Sequence, residues 1–273
     1  MRIYLALAIS TFLVVTPFRS FAVIQLPYEA FSHLPIAQNV RLSPDGKYVI
    51  YLLNRGANTF LVSNELATRK IRFLIKTDNE KFKIRWVKWV NNKDLLLSAV
   101  FPHRRYGTKT TETRLLSIAA DQSREQRQLI KPKQRLNGTM QHNPQFQDQI
   151  ISMVPEEDEN VLIELDLEMP TSPGVYKLNV KDGTKSRLIR GRENVRDWVV
   201  DSEQRLRVGM GYDSADNQYF MNVKDLESGR WNTIWRKEAF DPEIITPLGF
   251  GLDSNKLYIR KLFDGRDAIL QWA

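Results

Sequence analysis

The segment Arg41-Leu42-Ser43-Pro44-Asp45-Gly46-Lys47-Tyr48-Val49-Ile50-Tyr51-Leu52 decides how this chain is read. Pro44 presets a turn torsion, Asp45 can bond its own backbone, and Gly46 accepts the left-handed conformation that a tight reversal needs. The β-branched and aromatic run that follows is strand-forming. Polar counterparts of this turn recur downstream. They are Asn91-Asn92-Lys93-Asp94 before Leu95, Gln147-Asp148-Gln149 before Ile150, Asp201-Ser202-Glu203-Gln204 before Arg205, and Asp253-Ser254-Asn255-Lys256 before Leu257. With Asp45, Asn92, Asp148, Asp201 and Asp253 as markers, the intervals are 47, 56, 53 and 52 residues.

Strand-forming runs also enter these turns, at Trp86 to Val90, Trp198 to Val200 and Leu248 to Leu252. A second reversal sits at matching places in two units: Val180-Lys181-Asp182-Gly183-Thr184 and Leu226-Glu227-Ser228-Gly229-Arg230. Asp-Gly and Ser-Gly supply the positive-φ residue of a tight hairpin. Each unit therefore reads strand, turn, strand, loop, strand, turn, strand. A four-stranded unit repeating every ~40–50 residues is the pattern of a β-propeller blade. One such sheet cannot bury both faces alone, so neighbours stack around an axis. The expectation is an all-β chain: residues 1–22 an export signal, and residues 23–273 a partial β-propeller of four full four-stranded blades plus an incomplete fifth. That fifth unit reaches only its third strand, Ala268 to Trp272, so a C-terminally truncated domain is expected. Such an end leaves a sheet edge and an apolar blade face open. A β-sandwich also spaces strands regularly, but one turn type at a near-constant interval favours the propeller.

Composition narrows the chemistry. The 273 residues contain no cysteine, which removes disulfide scaffolds, thiolate metal sites and cysteine nucleophiles. Only His33, His103 and His142 supply imidazole. Arg2, the apolar run Ile3 to Val15 and the small residues of Ser20-Phe21-Ala22 match a secretory signal. That run is shorter than the roughly 20 residues of a membrane span. A periplasmic or secreted chain with no membrane span after signal removal is expected; loss of Arg2 and Arg19 takes its formal charge from +8 to +6.

The charge is uneven. His103 to Arg135 holds nine Lys or Arg against three acids, and Glu156 to Glu168 holds seven acids and no base. Without interleaved aromatics beyond Tyr106, and after an export signal, the basic stretch reads as solvated loops and not as a nucleic-acid surface. Glu156, Glu157, Asp158 and Glu159 read as a hydrated run. No His-Glu-x-x-His or calcium-loop spacing occurs, so neither metal nor cofactor is expected. The pairs Gly209/Gly211 and Gly249/Gly251 lack a third glycine and a following helix; they read as sites of close blade packing. Asn137-Gly138-Thr139 is a glycosylation sequon by pattern.

Taken together, Arg41 to Val49, Ile84-Arg85-Trp86-Val87-Lys88-Trp89-Val90 with Leu95-Leu96-Leu97, Gly174 to Val180, Arg196-Asp197-Trp198-Val199-Val200-Asp201, and Gly249-Phe250 with Lys256-Leu257-Tyr258-Ile259 make the chain resemble a known family. It resembles the N-terminal propeller of exported bacterial prolyl oligopeptidase family serine peptidases, over roughly Leu34 to Ala273. In that family a propeller, usually of seven blades, caps an α/β-hydrolase domain and admits peptides in preference to folded proteins. The sequence departs from the family in having fewer blades, no Gly-x-Ser-x-Gly elbow and no histidine after His142. The resemblance implies a non-catalytic propeller portion without catalytic residues, whose partners are peptides or an α/β-hydrolase domain. The alternative is a free-standing propeller that binds proteins or peptides. Some dipeptidyl members hold the substrate amine with acids after an Asp-Trp segment. Here Asp197-Trp198 is followed by Asp201 and Glu203, which makes those two the candidate substrate-binding residues, although Asp and Ser at a turn marker have an ordinary backbone use.

Overall fold

Alternation of Val, Ile, Leu and Tyr with polar residues, punctuated by Gly, Asp and Asn, gives short antiparallel strands. The computed structural model describes residues 35–105, 107–132, 142–154 and 157–272, and among them it forms nineteen strands and no helix. The segment read as an export signal, His33, the Asn137 sequon and Glu156 lie outside the described residues.

Five sheets follow one another. The first holds β1 (Ala37–Leu42), β2 (Tyr48–Arg55), β3 (Asn58–Glu65) and β4 (Lys70–Thr77). The second holds β5 (Lys83–Trp89), β6 (Asp94–Arg105), β7 (Thr108–Ala119) and β8 (Arg127–Gln128). The third holds β9 (Gln149–Ser152), β10 (Asn160–Leu165), β11 (Gly174–Asn179) and β12 (Lys185–Ile189). The fourth holds β13 (Val195–Val200), β14 (Leu206–Asp213), β15 (Gln218–Lys224) and β16 (Trp231–Glu238); the fifth holds β17 (Ile245–Phe250), β18 (Leu257–Phe263) and β19 (Arg266–Trp272). Each sheet pairs its strands in sequence order, the up-and-down meander of a blade.

The packing makes these sheets a propeller. Four buried clusters lie between successive blades. Ile50, Leu52 and Leu61 meet Val87, Leu95 and Leu97. Leu96 and Leu115 meet Val161, Ile163 and Leu178. Leu162 and Val175 meet Val195, Trp198 and Phe220. Val208 and Met221 meet Ile245, Leu257 and Ile259. Leu95, Leu96 and Leu97 are all fully buried although consecutive, because blade 2 is covered on both faces. Each such side chain contributes about 1.5–3 kcal/mol by leaving water. The first strands β9, β13 and β17 also approach one another across blades, which puts them innermost. On blade 5 the face away from blade 4 carries Tyr258, Leu262 and Ile269, all exposed.

Strand direction sorts the loops onto two ends. Turns from first to second and from third to fourth strands share one end, the marker end. Second-to-third hairpins and blade-to-blade connections share the other, the connection end. At the first marker turn Ser43 Oγ donates to Asp45 at 2.7 Å and accepts from the Tyr48 amide at 2.9 Å, with Gly46 at φ 72°. At the β18–β19 hairpin both Asp264 (φ 50°) and Gly265 (φ 72°) are left-handed, as a two-residue primed turn requires.

One sequence reading changes. Asp148 is not a marker turn: it precedes β9, and the marker turn of blade 3 is at Glu157 to Asn160. Asp148 is instead buried, accepting from Ser98 Oγ at 2.7 Å and Thr113 Oγ1 at 2.8 Å and facing Arg85 at 3.1 Å. Its carboxylate ties blade 2 to the entry of blade 3. The outer strands β8, β12 and β16 carry no clean apolar alternation because they are largely exposed, so the sequence pattern did not reveal them.

Candidate functional site

The two acids singled out from sequence occupy the marker end. Asp201 is buried, and its carboxylate is saturated. The backbone amides of Glu203 and Arg205 each donate to Oδ1 at 3.0 Å, Arg205 Nε donates to Oδ2 at 2.8 Å, and Arg207 Nη1 lies at 3.3 Å. No lone pair faces outward for a peptide amine. Glu203 is exposed, pairs with Arg205 at 2.8 Å and accepts from Ser254 Oγ at 3.3 Å. Together they brace the turn between β13 and β14.

The connection end has a different character. Between blades 3 and 4 a cavity of about 310 Å³ opens beside the innermost strands. Its floor is Glu164, on β10. The run Val161-Leu162-Ile163-Glu164-Leu165 alternates around a covered sheet, so Glu164 shares the blade 4 side with Leu162 and is only 7% exposed. Its Oε1 accepts the Trp198 amide at 2.6 Å, while Oε2 has no hydrogen-bond partner among the described residues. Burial, reinforced by the nearby Asp197 and only partly offset by the Trp198 amide, pushes the Glu164 carboxyl up to about 8. It is therefore a neutral acid at pH 7.

Asp197 and Arg196 form the lip. The ladder between β13 and β14 slips between Val195 and Asp197, a bulge that gives Arg196 and Asp197 access to the same cavity although they are consecutive. Loss of hydration against the cavity wall raises the Asp197 carboxyl, and Arg196 opposes that rise. Neither side chain has a hydrogen-bond or ion-pair partner among the described residues. Both also line a second cleft of about 410 Å³ between blades 4 and 5, so β13 is a ridge shared by two cavities. On the far wall His142 Nε2 faces Asp166 at 3.2 Å, and the Thr171 amide donates to the same oxygen at 3.1 Å. Phe146, Pro170 and Pro173 supply apolar wall, and the Trp198 indole fixes Pro173 by donating to its carbonyl at 2.8 Å.

The structure thus brings together Glu164, Asp197, Arg196, Asp166 and His142, and leaves Asp201 and Glu203 at the opposite end of β13. The four residues from Asp197 to Asp201 span about 13 Å of strand. Asp-Trp was a useful pointer, but the acids that accompany it in space come from β10 and the following loop. The signal was available: one acid inside a continuous apolar run is the informative exception in a core. His103 lies elsewhere, against Glu112 at 3.1 Å. No serine lines the cavity among the described residues. Among those residues no group of three His, Cys, Asp or Glu is placed to hold a metal ion.

No family model matches the chain, and no curated protein matches it. Solved structures do. An acylaminoacyl peptidase solved in complex with Z-Gly-Gly-Phe-chloromethyl ketone is similar at a TM-score of 0.51 and 13% identity. The Pyrococcus horikoshii acylaminoacyl peptidase is similar at a TM-score of 0.50 and 14% identity. Porphyromonas gingivalis dipeptidyl peptidase 4 is similar at a TM-score of 0.51 and 10% identity. In each case 88% of this chain is covered, and it spans 38% of the other chain. At these identities the likeness establishes the fold, in agreement with the stacking of the five sheets.

Proposed function

We propose that this chain is the non-catalytic propeller portion of a prolyl oligopeptidase-like serine peptidase, exported to the periplasm or beyond. It caps the active site and admits peptides by size. The observation that carries this reading is the match of nearly the whole chain to about two fifths of three peptidases. The exposed Tyr258, Leu262 and Ile269 on the outer face of blade 5 support it, because large apolar side chains grouped on one face are often covered by a partner surface. The test is the reading frame beyond the codon for Ala273. Further blades and a Gly-x-Ser-x-Gly elbow in frame are the expected result; a stop codon there overturns the cap. Labelling of the purified chain by a fluorophosphonate probe would overturn its non-catalytic character.

A second reading is a free-standing propeller that binds peptides. The cavity between blades 3 and 4, with a carboxyl oxygen left without a partner among the described residues, favours it. Peptide binding by the isolated chain is its expected result.

A further inference from the structure

We propose that the cavity between blades 3 and 4 binds a basic side chain, an alkylguanidinium or alkylammonium group, with its charge held between Glu164 and Asp197 and its methylene stem against Phe146, Pro170 and Pro173. Glu164 forms the cavity floor, is more than nine-tenths buried, and turns into the cavity a carboxyl oxygen that has no partner among the described residues. A group that reaches it passes the apolar wall first. A peptide amino terminus is attached directly to backbone amides, which would enter that wall without hydrogen-bond partners. Lysine and arginine instead carry their charge at the end of an apolar stem, the arrangement that matches an apolar passage with a polar floor.

Two carboxyls at the site, those of Glu164 and Asp197, remain for a cation. Asp166 is already engaged by His142 and the Thr171 amide. Arg196 stands at the lip beside Asp197 and balances one negative charge. Ionisation of Glu164 adds a second carboxylate to that of Asp197 on the cavity lining. An incoming cation favours that ionised form, so binding at pH 7 expels close to one proton from Glu164. The groups that face Glu164 are Asp197 and Arg196 from β13, and Asp166 and His142 from the connecting segments. This binding belongs to the propeller itself, so its failure would leave the capping role standing.

The experiment is calorimetric titration of the full 273-residue chain with N-acetyl-arginine methylamide and N-acetyl-lysine methylamide. Saturable binding of either supports the proposal, and the tighter of the two identifies the preferred cation. Affinity is expected to rise about tenfold per pH unit between pH 6 and 7.5, with proton release visible as a dependence on buffer ionisation enthalpy. Glu164→Gln is expected to weaken binding at least tenfold, and Glu203→Gln, at the other end of β13, to leave it unchanged. Asp197→Asn gives the same reading on the lip if Glu164→Gln does not fold. Absence of binding at millimolar ligand, equal binding by the Glu164 and Asp197 variants, or equally good competition by glycinamide would overturn the proposal.

Discussion

Replacing Glu164 by glutamine should stabilise the fold, and the gain should depend on pH. Glu164 is 7% exposed and its carboxyl is raised from 4.5 to about 8. A carboxyl raised on folding keeps a proton that the unfolded chain has already lost. Unfolding between those two values therefore releases a proton, and stability falls as pH rises through the window. Below pH 4.5 the group costs nothing, and above pH 8 the full penalty applies. At about 1.4 kcal/mol per pH unit the penalty reaches about 3 kcal/mol at pH 7 and about 5 kcal/mol above pH 8. Against the roughly 5–15 kcal/mol that holds a typical domain together, this is large. Glutamine keeps an oxygen acceptor for the Trp198 amide and removes the ionisation. Urea unfolding of both proteins across pH 5.5–8.5 measures the effect. The wild type should lose about 1 kcal/mol or more per pH unit, and the variant should lose markedly less. Asp197 is raised by the same cause and leaves a smaller residual slope of the same sign. Parallel pH profiles for the two proteins would refute the reasoning.

Four further substitutions test the blade geometry. Gly211→Ala places a Cβ 2.2 Å from the Asn194 carbonyl oxygen and 2.3 Å from the Phe220 ring, both between blades 3 and 4 or within blade 4; a loss of about 1–3 kcal/mol in urea unfolding is expected. Asp148→Ala strips the Ser98 and Thr113 hydroxyls of their buried acceptor and leaves Arg85 unmatched; about 3 kcal/mol should be lost, with the largest loss of amide protection in β6, β7 and β9. Asp201→Ala should cost about 2–3 kcal/mol of stability, whereas Glu203→Ala, whose partners are exposed, should stay within about 0.5 kcal/mol. Reduced affinity for a peptide amine in a well-folded Asp201 variant would instead restore that residue to a binding role.

The repeat was legible because turns are local. Ser43-Pro44-Asp45-Gly46 and Asp264-Gly265 must satisfy torsions that few residue types meet, so they show in sequence whatever surrounds them. The inner and middle strands were legible because coverage on both faces leaves apolar runs such as Leu95-Leu96-Leu97. The outer strands β8, β12 and β16 were not legible from their own residues, since a strand such as β16 needs only backbone pairing with β15 and leaves its side chains largely in water. Asp148 misled for a related reason. An aspartate before a strand looks the same in sequence whether it caps a turn or accepts two buried hydroxyls from another blade, and only the partners, 35 and 50 residues away, distinguish the cases. The binding cavity was the least legible feature, because its parts come from β10, the connecting segments and a bulge in β13 that no local pattern announces.

This division follows from the architecture of the blade. At the marker end each reversal joins adjacent antiparallel strands within a blade, so Asp, Asn, Ser and Gly are held there by torsion and amide bonding. Their carboxylates are consumed in the process, as at Asp45, where the Ser43 hydroxyl leads the contacts that hold the group below its usual range, and at Asp201. At the connection end the chain must pass from the outer strand of one blade to the inner strand of the next. That longer path has no fixed torsional recipe, and its side chains can face the gap between two blades without first completing a turn. Polar groups also remain available at this end of the strands: among the described residues Glu164 Oε2 on β10, and Asp197 and Arg196 on β13, have no hydrogen-bond or ion-pair partner in the same molecule that saturates Asp201. A search for binding residues in a chain of this kind gains more from acids interrupting apolar middle strands, and from residues at the entry of inner strands, than from the acidic turns that mark the repeat.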